Sequence, residues 1–228
     1  MTRRSGPPAR IDPAALAGYL VTDTGLCGAR GVVDTVALAV EGGIGTVQLR
    51  EKTASAREAY ALLLRLAEVV AGRAVLLVDD RVDLFLAARA AGARVDGVHL
   101  GQDDLPALAA RALIGPDAVL GISAATPDQV ATASIPEVDY LGIGAIRATT
   151  TKPDHPTPLG IDGFARLAAA STHPSVAIGG IGLDDVAPLR AAGAAGVAVV
   201  SLICAAEDPA RVARAVVGSR PDAAGRGR

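Results

Sequence analysis

Eight times along the chain, a short apolar run rich in β-branched residues gives way to a longer Ala/Leu segment of helical period. The runs are Gly18–Val21, Thr46–Leu49, Val75–Val78, Gly97–Leu100, Val119–Ile122, Tyr140–Ile143, Val176–Ile178 and Val197–Val200. Such alternation predicts parallel strands joined by crossover helices. The segment Arg57–Ala71 carries Leu62, Leu63, Leu66 and Val70 on one side, and Asp184–Ala192 ends before the stop signal Gly193. Eight β/α units close naturally into a (β/α)8 TIM barrel, here a single domain spanning residues 16–217. The rival architecture, an open doubly wound sheet, calls for a glycine-rich turn after the first strand. The glycines of Gly25–Gly31 lack the GxGxxG spacing, which favours the barrel. Residues 1–15 and 218–228 show no periodicity and are expected to be flexible tails.

Composition narrows the function classes. With 228 residues and 50% hydrophobic content the chain can bury a substantial core, yet Trp is absent and Phe and Tyr are few. A net charge of −2 supplies no basic face for nucleic acid, and no aromatic cluster interleaves with basic residues to stack single strands. No apolar h-region follows the basic Met1–Arg10 segment, and no run approaches the ~18 apolar residues of a membrane span. Cys27 and Cys204 fit neither CxxC nor metal spacing, so both are read as reduced thiols of a cytoplasmic protein. The expected partners are small-molecule substrates, without nucleic acid or membrane; a homo-oligomer is compatible with the sequence.

Only two of the 22 basic residues are lysines, Lys52 and Lys152, and each closes a polar motif at a strand end. An ammonium point charge kept in an otherwise arginine-using chain suggests a phosphate. In a barrel, the groups just beyond the strands converge on one face. Here those groups are Gln48, Arg50, Glu51 and Lys52 after the second run, and Asp79, Asp80 and Arg81 after the third. Gln102, Asp103 and Asp104 follow the fourth, Ser123 the fifth, Arg147 to Lys152 the sixth, Gly179–Gly180 the seventh and Ser201 the eighth. Gly179–Gly180 with Val200–Ser201 suit a phosphate cradled by backbone N–H groups, although a glycine pair also makes a simple tight turn. Thr149, Thr150, Thr151 and Lys152 offer hydroxyls and an ammonium to phosphate oxygens, in a loop stiffened by Pro153, Pro156 and Pro158. Asp80 and Asp104, on neighbouring strands, suit a Mg2+ bridging to phosphates; Asp103, ahead of Leu105–Pro106, is read as a helix cap. His99 is read as a packed barrel histidine, and His155 and His173 as loop residues without a role. No Ser–His–Asp order, HExxH or Cys–His cluster is present, which argues against a protein nucleophile or zinc.

The set Gln48-Leu49-Arg50-Glu51-Lys52, Gly97-Val98-His99-Leu100-Gly101-Gln102-Asp103-Asp104, Gly121-Ile122-Ser123, Thr149-Thr150-Thr151-Lys152 and Ala177-Ile178-Gly179-Gly180-Ile181 closely resembles the thiamine phosphate synthase family. The resemblance runs from about Thr46 to Ile203. It implies a (β/α)8 transferase that joins hydroxymethylpyrimidine diphosphate to thiazole phosphate with Mg2+. By that resemblance the pyrimidine diphosphate falls on Gln48, Leu49, Arg50, Glu51, Lys52, Asp79, Ser123 and Lys152, and Mg2+ on Asp80 and Asp104. The thiazole phosphate falls on Thr149, Thr150, Thr151, Gly180, Val200 and Ser201. The groups it assigns to catalysis are Arg50, Lys52, Ser123 and Lys152. Diphosphate would leave first and the thiazole nitrogen would capture the pyrimidinylmethyl cation, a route that requires no nucleophile from the protein.

The chain departs from the family pattern at Asp79, where many members have Asn, and at Ala145 and Arg147, where a Pro and an aromatic residue are common. Ala125 stands where the thiazole tautomerase relatives often carry His, which argues against that activity. The stretch Asp80 to His99 is a few residues longer than usual. Two other readings compete with the synthase. One is a sugar-phosphate isomerase or epimerase, which needs a strand-end base rather than a metal pair; the other is a sensor that binds thiamine precursors without turnover.

Overall fold

The computed structural model describes residues 10–149 and 157–218. Eight parallel strands close on themselves: β1 Gly18–Val21, β2 Thr46–Leu49, β3 Val75–Asp79, β4 Gly97–Leu100, β5 Val119–Ala124, β6 Tyr140–Gly144, β7 Ser175–Ile178 and β8 Gly196–Val199. Closure is the pairing of β1 with β8, Gly18 against Val197 and Leu20 against Val199. Around the barrel run α1 Thr24–Cys27, α2 Gly31–Glu41, α3 Ala56–Val70, α4 Val82–Ala90, α5 Ala107–Ile114, α6 Pro127–Ala133, α7 Gly160–Ala170, α8 Leu183–Ala191, α9 Ser201–Cys204 and α10 Pro209–Gly218.

Local chemistry places these elements. The runs of Val, Ile and Leu suit strands covered on both faces. Helix α3 begins at a capping box, in which the Ser55 Oγ accepts from Glu58 N and the Glu58 carboxylate accepts from Ser55 N. Its buried residues Ala59, Leu63, Leu66 and Val70 recur at helical spacing and face the barrel. Helix α5 corrects one expectation. It starts at Ala107, with Pro106 at the cap position and no side-chain cap, so exposed Asp103 lies ahead of the helix without capping it.

The strands send alternate residues to two cores. Val47 and Leu49 of β2, Val98 and Leu100 of β4, and Leu141 and Ile143 of β6 join the layer between barrel and helices. The opposite set enters the bore. At the N-terminal end of the barrel, Ile11, Leu16, Tyr19, Leu77, Val119, Tyr140 and Val176 pack as a second, smaller core. Glycines make room for its rings: a Cβ on Gly121 would stand inside the Tyr140 ring, and one on Gly142 would lie 3.0 Å from His99.

The expected N-terminal tail of residues 1–15 is too long. Asp12 caps a 3-10 turn over Pro13–Leu16, Ile11 and Leu16 are buried, and the Ala15 carbonyl accepts from Thr46 Oγ1 at 2.8 Å. Arg10 pairs with Asp139 at 3.0 Å. Residues 10–16 therefore plug the bottom of the barrel, held by contacts distant in sequence. Helix α10 reaches Gly218, and no helix among the described residues is long and apolar enough to cross a membrane.

Candidate active site

A cavity of about 490 Å³ opens at the C-terminal ends of the strands. Its first wall is charged. Arg50 and Lys52 leave β2, Asp79 ends β3 with Asp80 just beyond it, and Asp104 follows β4. The Lys52 ammonium lies 3.0 Å from Asp79 Oδ2 and also donates to Asp80. Arg50 Nε stands 3.9 Å from Asp79 Oδ2, and the Arg50 amide donates to Thr22 Oγ1. Asp104 Oδ2 accepts from Gly101 N at 2.7 Å, which anchors that carboxylate in the β4 loop.

The carboxylates are unequal. Burial, reinforced by the charge of Asp80, pushes Asp79 up to about 6 against the pull of Lys52 and Arg50. Burial also works against ionised Asp80, but hydrogen bonds from Lys52 and Asp104 outweigh it and hold Asp80 low. Asp104 is raised, by burial and then by Asp80. Burial disfavours the Lys52 charge, yet the two carboxylates win and raise its pKa. Asp80 and Asp104, in contact with each other, offer the carboxylate oxygens that a hard cation takes, so this pair fits Mg2+. Among the described residues no cluster of three or more metal-type side chains completes such a site by itself. A cation here would take its remaining ligands from water and substrate. Asp80 holds a left-handed backbone, φ 59°, with its amide donating to the His99 carbonyl at 2.8 Å.

The floor is a polar chain across the bore. Gln48 Nε2 donates to the Tyr19 hydroxyl at 2.7 Å, and the Tyr19 and Tyr140 hydroxyls are 2.8 Å apart. His99 Nδ1 lies 2.8 Å from the Tyr140 hydroxyl, and His99 Nε2 2.9 Å from Ser123 Oγ. His99 is packed in the barrel as expected, but it also lines the cavity and touches a candidate site residue. The sequence motifs do not mark Tyr19, Tyr140 or His99 as site residues. Period-two counting along β4 would have put His99 on the bore face with Gly97.

The far wall is built for backbone contact. Gly179 and Gly180 hold φ 97° and 66°, and a Cβ on either would lie 2.7 Å from Ala145 or from Arg147 and Ala148. Thr149, Gly180, Val200 and Ser201 all line this side. Arg147 turns away to pair with Asp185 of α8 at 2.7 Å. Thr150, Thr151, Lys152 and His155 lie outside the described residues, as does the proline-stiffened part of their loop at Pro153 and Pro156.

Two expected contacts are not in the cavity. Leu49 faces the helix layer because it alternates with Gln48. Glu51 turns back on its own loop, accepting from Thr53 N at 2.8 Å and Ala54 N at 3.0 Å, and also accepts from Thr24 Oγ1 at the start of α1 at 2.6 Å. It shapes the loop that carries Lys52. Gln48, Arg50, Lys52, Asp79, Asp80, Asp104 and Ser123 are brought together with the β7–β8 wall around one space.

The family model of thiamine monophosphate synthase matches residues 18–203. The chain belongs to the thiamine monophosphate synthase family. It is 42% identical to the thiamine-phosphate synthase of Psychrobacter sp. over 90% of this chain and 96% of that protein. Against the thiamine-phosphate synthase of Azorhizobium caulinodans the identity is 45%, over 89% of this chain and 93% of that protein. The solved thiamine phosphate pyrophosphorylase of Pyrococcus furiosus is 32% identical, with a TM-score of 0.79, covering 91% of this chain and 96% of that one. The span matched to the thiamine monophosphate synthase model runs from the first residue of β1 to α9, so every cavity-lining residue falls within it. The N-terminal plug and α10 lie outside it. Of the positions read above as departures from the family pattern, Asp79, Ala125 and Ala145 line the cavity while Arg147 is not among its lining residues.

Proposed function

We propose that this chain is a thiamine-phosphate synthase, a transferase that couples 4-amino-2-methyl-5-(diphosphomethyl)pyrimidine with a thiazole phosphate and releases diphosphate. One observation carries the reading: a single cavity has two walls suited to phosphates, one charged and one of bare backbone, with a polar floor between them. The curated relatives that share most of the chain's length bear the name of that activity.

The diphosphate belongs on the charged wall. Arg50 and Lys52 offer donors to its oxygens, Asp80 and Asp104 would hold Mg2+, and the cation when bound supplies charge neutralisation to the leaving group. The C–O bond breaks with its electron pair passing to the diphosphate, and the thiazole nitrogen lone pair forms the new C–N bond to the pyrimidinylmethyl carbon. The protein contributes no nucleophile. Its work is to stabilise the departing charge and to align two substrates. Ser123, at the edge of the floor, faces the pyrimidine diphosphate, and Lys152 adds a second ammonium. Thr149, Thr150 and Thr151 with Gly180, Val200 and Ser201 hold the thiazole phosphate. We place the protein in the cytoplasm, where the free and buried Cys27 and Cys204 stay reduced.

The test is direct. Purified protein is incubated with both precursors, with and without Mg2+, and thiamine phosphate and diphosphate are followed. Stoichiometric formation of both products, dependent on Mg2+, is expected. Absence of product with Mg2+ present would sink the assignment, and ligand binding without turnover would favour a sensor.

A further inference from the structure

Gln48, Tyr19, Tyr140, His99 and Ser123 form one hydrogen-bonded chain through the bore, and its two ends, Gln48 and Ser123, both line the cavity. The interior members are strongly constrained. Burial raises the pKa of the Tyr19 and Tyr140 phenols, so each keeps one hydroxyl hydrogen and can donate once. A neutral imidazole likewise donates from one nitrogen and accepts on the other.

Such a chain has two polarities, and all its bonds reverse together. In the first, the Gln48 amide nitrogen donates to Tyr19, Tyr19 to Tyr140, Tyr140 to His99 Nδ1, and His99 Nε2–H to Ser123 Oγ. The Ser123 hydroxyl hydrogen is then left for a ligand. In the second, Gln48 turns its carbonyl to Tyr19, His99 carries its hydrogen on Nδ1, and Ser123 gives its hydrogen to His99. Ser123 would then show a ligand only lone pairs. The Gln48 amide nitrogen stands 2.7 Å from the Tyr19 hydroxyl, the arrangement that the first polarity requires. The charge of a phosphate ligand selects the same one, because an anion needs donors.

We propose that the buried relay from Gln48 through Tyr19 and Tyr140 fixes His99 as its Nε2–H tautomer and thereby makes Ser123 an obligate hydrogen-bond donor to the diphosphate substrate. Tyr19, Tyr140 and His99 are positioning residues that act through Ser123. The proposal rests on reading the cavity as a diphosphate site, and its first test does not depend on turnover.

The full chain is labelled with 15N-histidine and its imidazole nitrogens are read by NMR at about pH 8, where an ordinary histidine is neutral. Of its three histidines, His99 is identified by the signals lost in His99→Asn. The expected result is a hydrogen on Nε2 and a bare Nδ1. A hydrogen on Nδ1, or an even mixture, overturns the relay. The second test is a double-mutant cycle with Tyr140→Phe and Ser123→Ala. Each single change is expected to lower kcat/KM about tenfold, and the pair no more than about twofold further, because both act through one donor. Losses that multiply in full overturn the coupling. Tyr140→Phe is also expected to abolish the tautomer preference, which a purely structural role would leave in place. If Tyr140→Phe does not fold, Tyr19→Phe gives the same two readouts. Absence of wild-type turnover would remove the synthase reading, while the tautomer would still decide the relay.

Discussion

Asp80 combines two demands that separate substitutions can pull apart. Its carboxylate bonds Lys52, and its backbone sits in the left-handed region that Asn and Asp tolerate better than Ala. Asp80→Asn is expected to lower kcat at least about tenfold with a thermal midpoint within about 2 °C of wild type, whereas Asp80→Ala loses both rate and stability. Steady-state kinetics and calorimetry on the two variants check this. Glu51 gives a pH prediction. Partial burial pushes its carboxyl up, but the bonds from Thr24 and the Thr53–Ala54 turn outweigh it and hold it at about 2, against an ordinary 4.5. The folded value lies below the unfolded one, so the stabilisation is complete above 4.5 and fades as pH falls towards 2. Glu51→Ala is expected to cost about 1 kcal/mol near neutrality, and urea titrations should show the gap to wild type closing as the medium is acidified. Glu51 also shows why site residues were only partly legible. Its neighbours Arg50 and Lys52 face the cavity, and nothing in a dense polar motif tells which side chain folds back on its own loop.

At the level of elements, strand β6 and helix α5 are tied through a buried ion pair. Asp139 accepts from Arg111 at 2.9 Å, from Arg10 at 3.0 Å and from Leu120 N at 2.7 Å, while Arg111 also donates to the carbonyls of Glu137, Gly115 and Ala118. Asp139→Ala would leave a buried guanidinium without its counter-charge, and a loss of about 3–5 kcal/mol in chemical unfolding is expected. The strands were legible because β-branched runs have few alternatives, and β1, β2 and β4 have the expected limits. The floor was not. Tyr19 and Tyr140 are 121 positions apart, and only closure of the barrel brings their hydroxyls together.

For the whole molecule, the same limit explains the N-terminus. The stretch Arg10–Leu16 has no period of its own, and its order comes from filling the open end of a barrel formed by everything after it. Deleting residues 1–16 uncovers Tyr19, Val119 and Val176 and removes two buried side chains, Ile11 and Leu16. At about 1.5–3 kcal/mol each, their loss should lower the thermal midpoint by about 10 °C in a calorimetric scan. Lys52, held as an ammonium between Asp79 and Asp80 at the cavity mouth, bears on handling as well as catalysis. The usual handle for fixing an enzyme to a bead or a dye is a lysine side chain, and this chain has two, of which Lys52 lines the cavity. Held as an ammonium by two carboxylates, Lys52 presents no free lone pair to an amine-directed reagent near neutral pH. Coupling forced onto it at alkaline pH would sit at the cavity mouth, and a cysteine or tag placed on the outer helices leaves that mouth open.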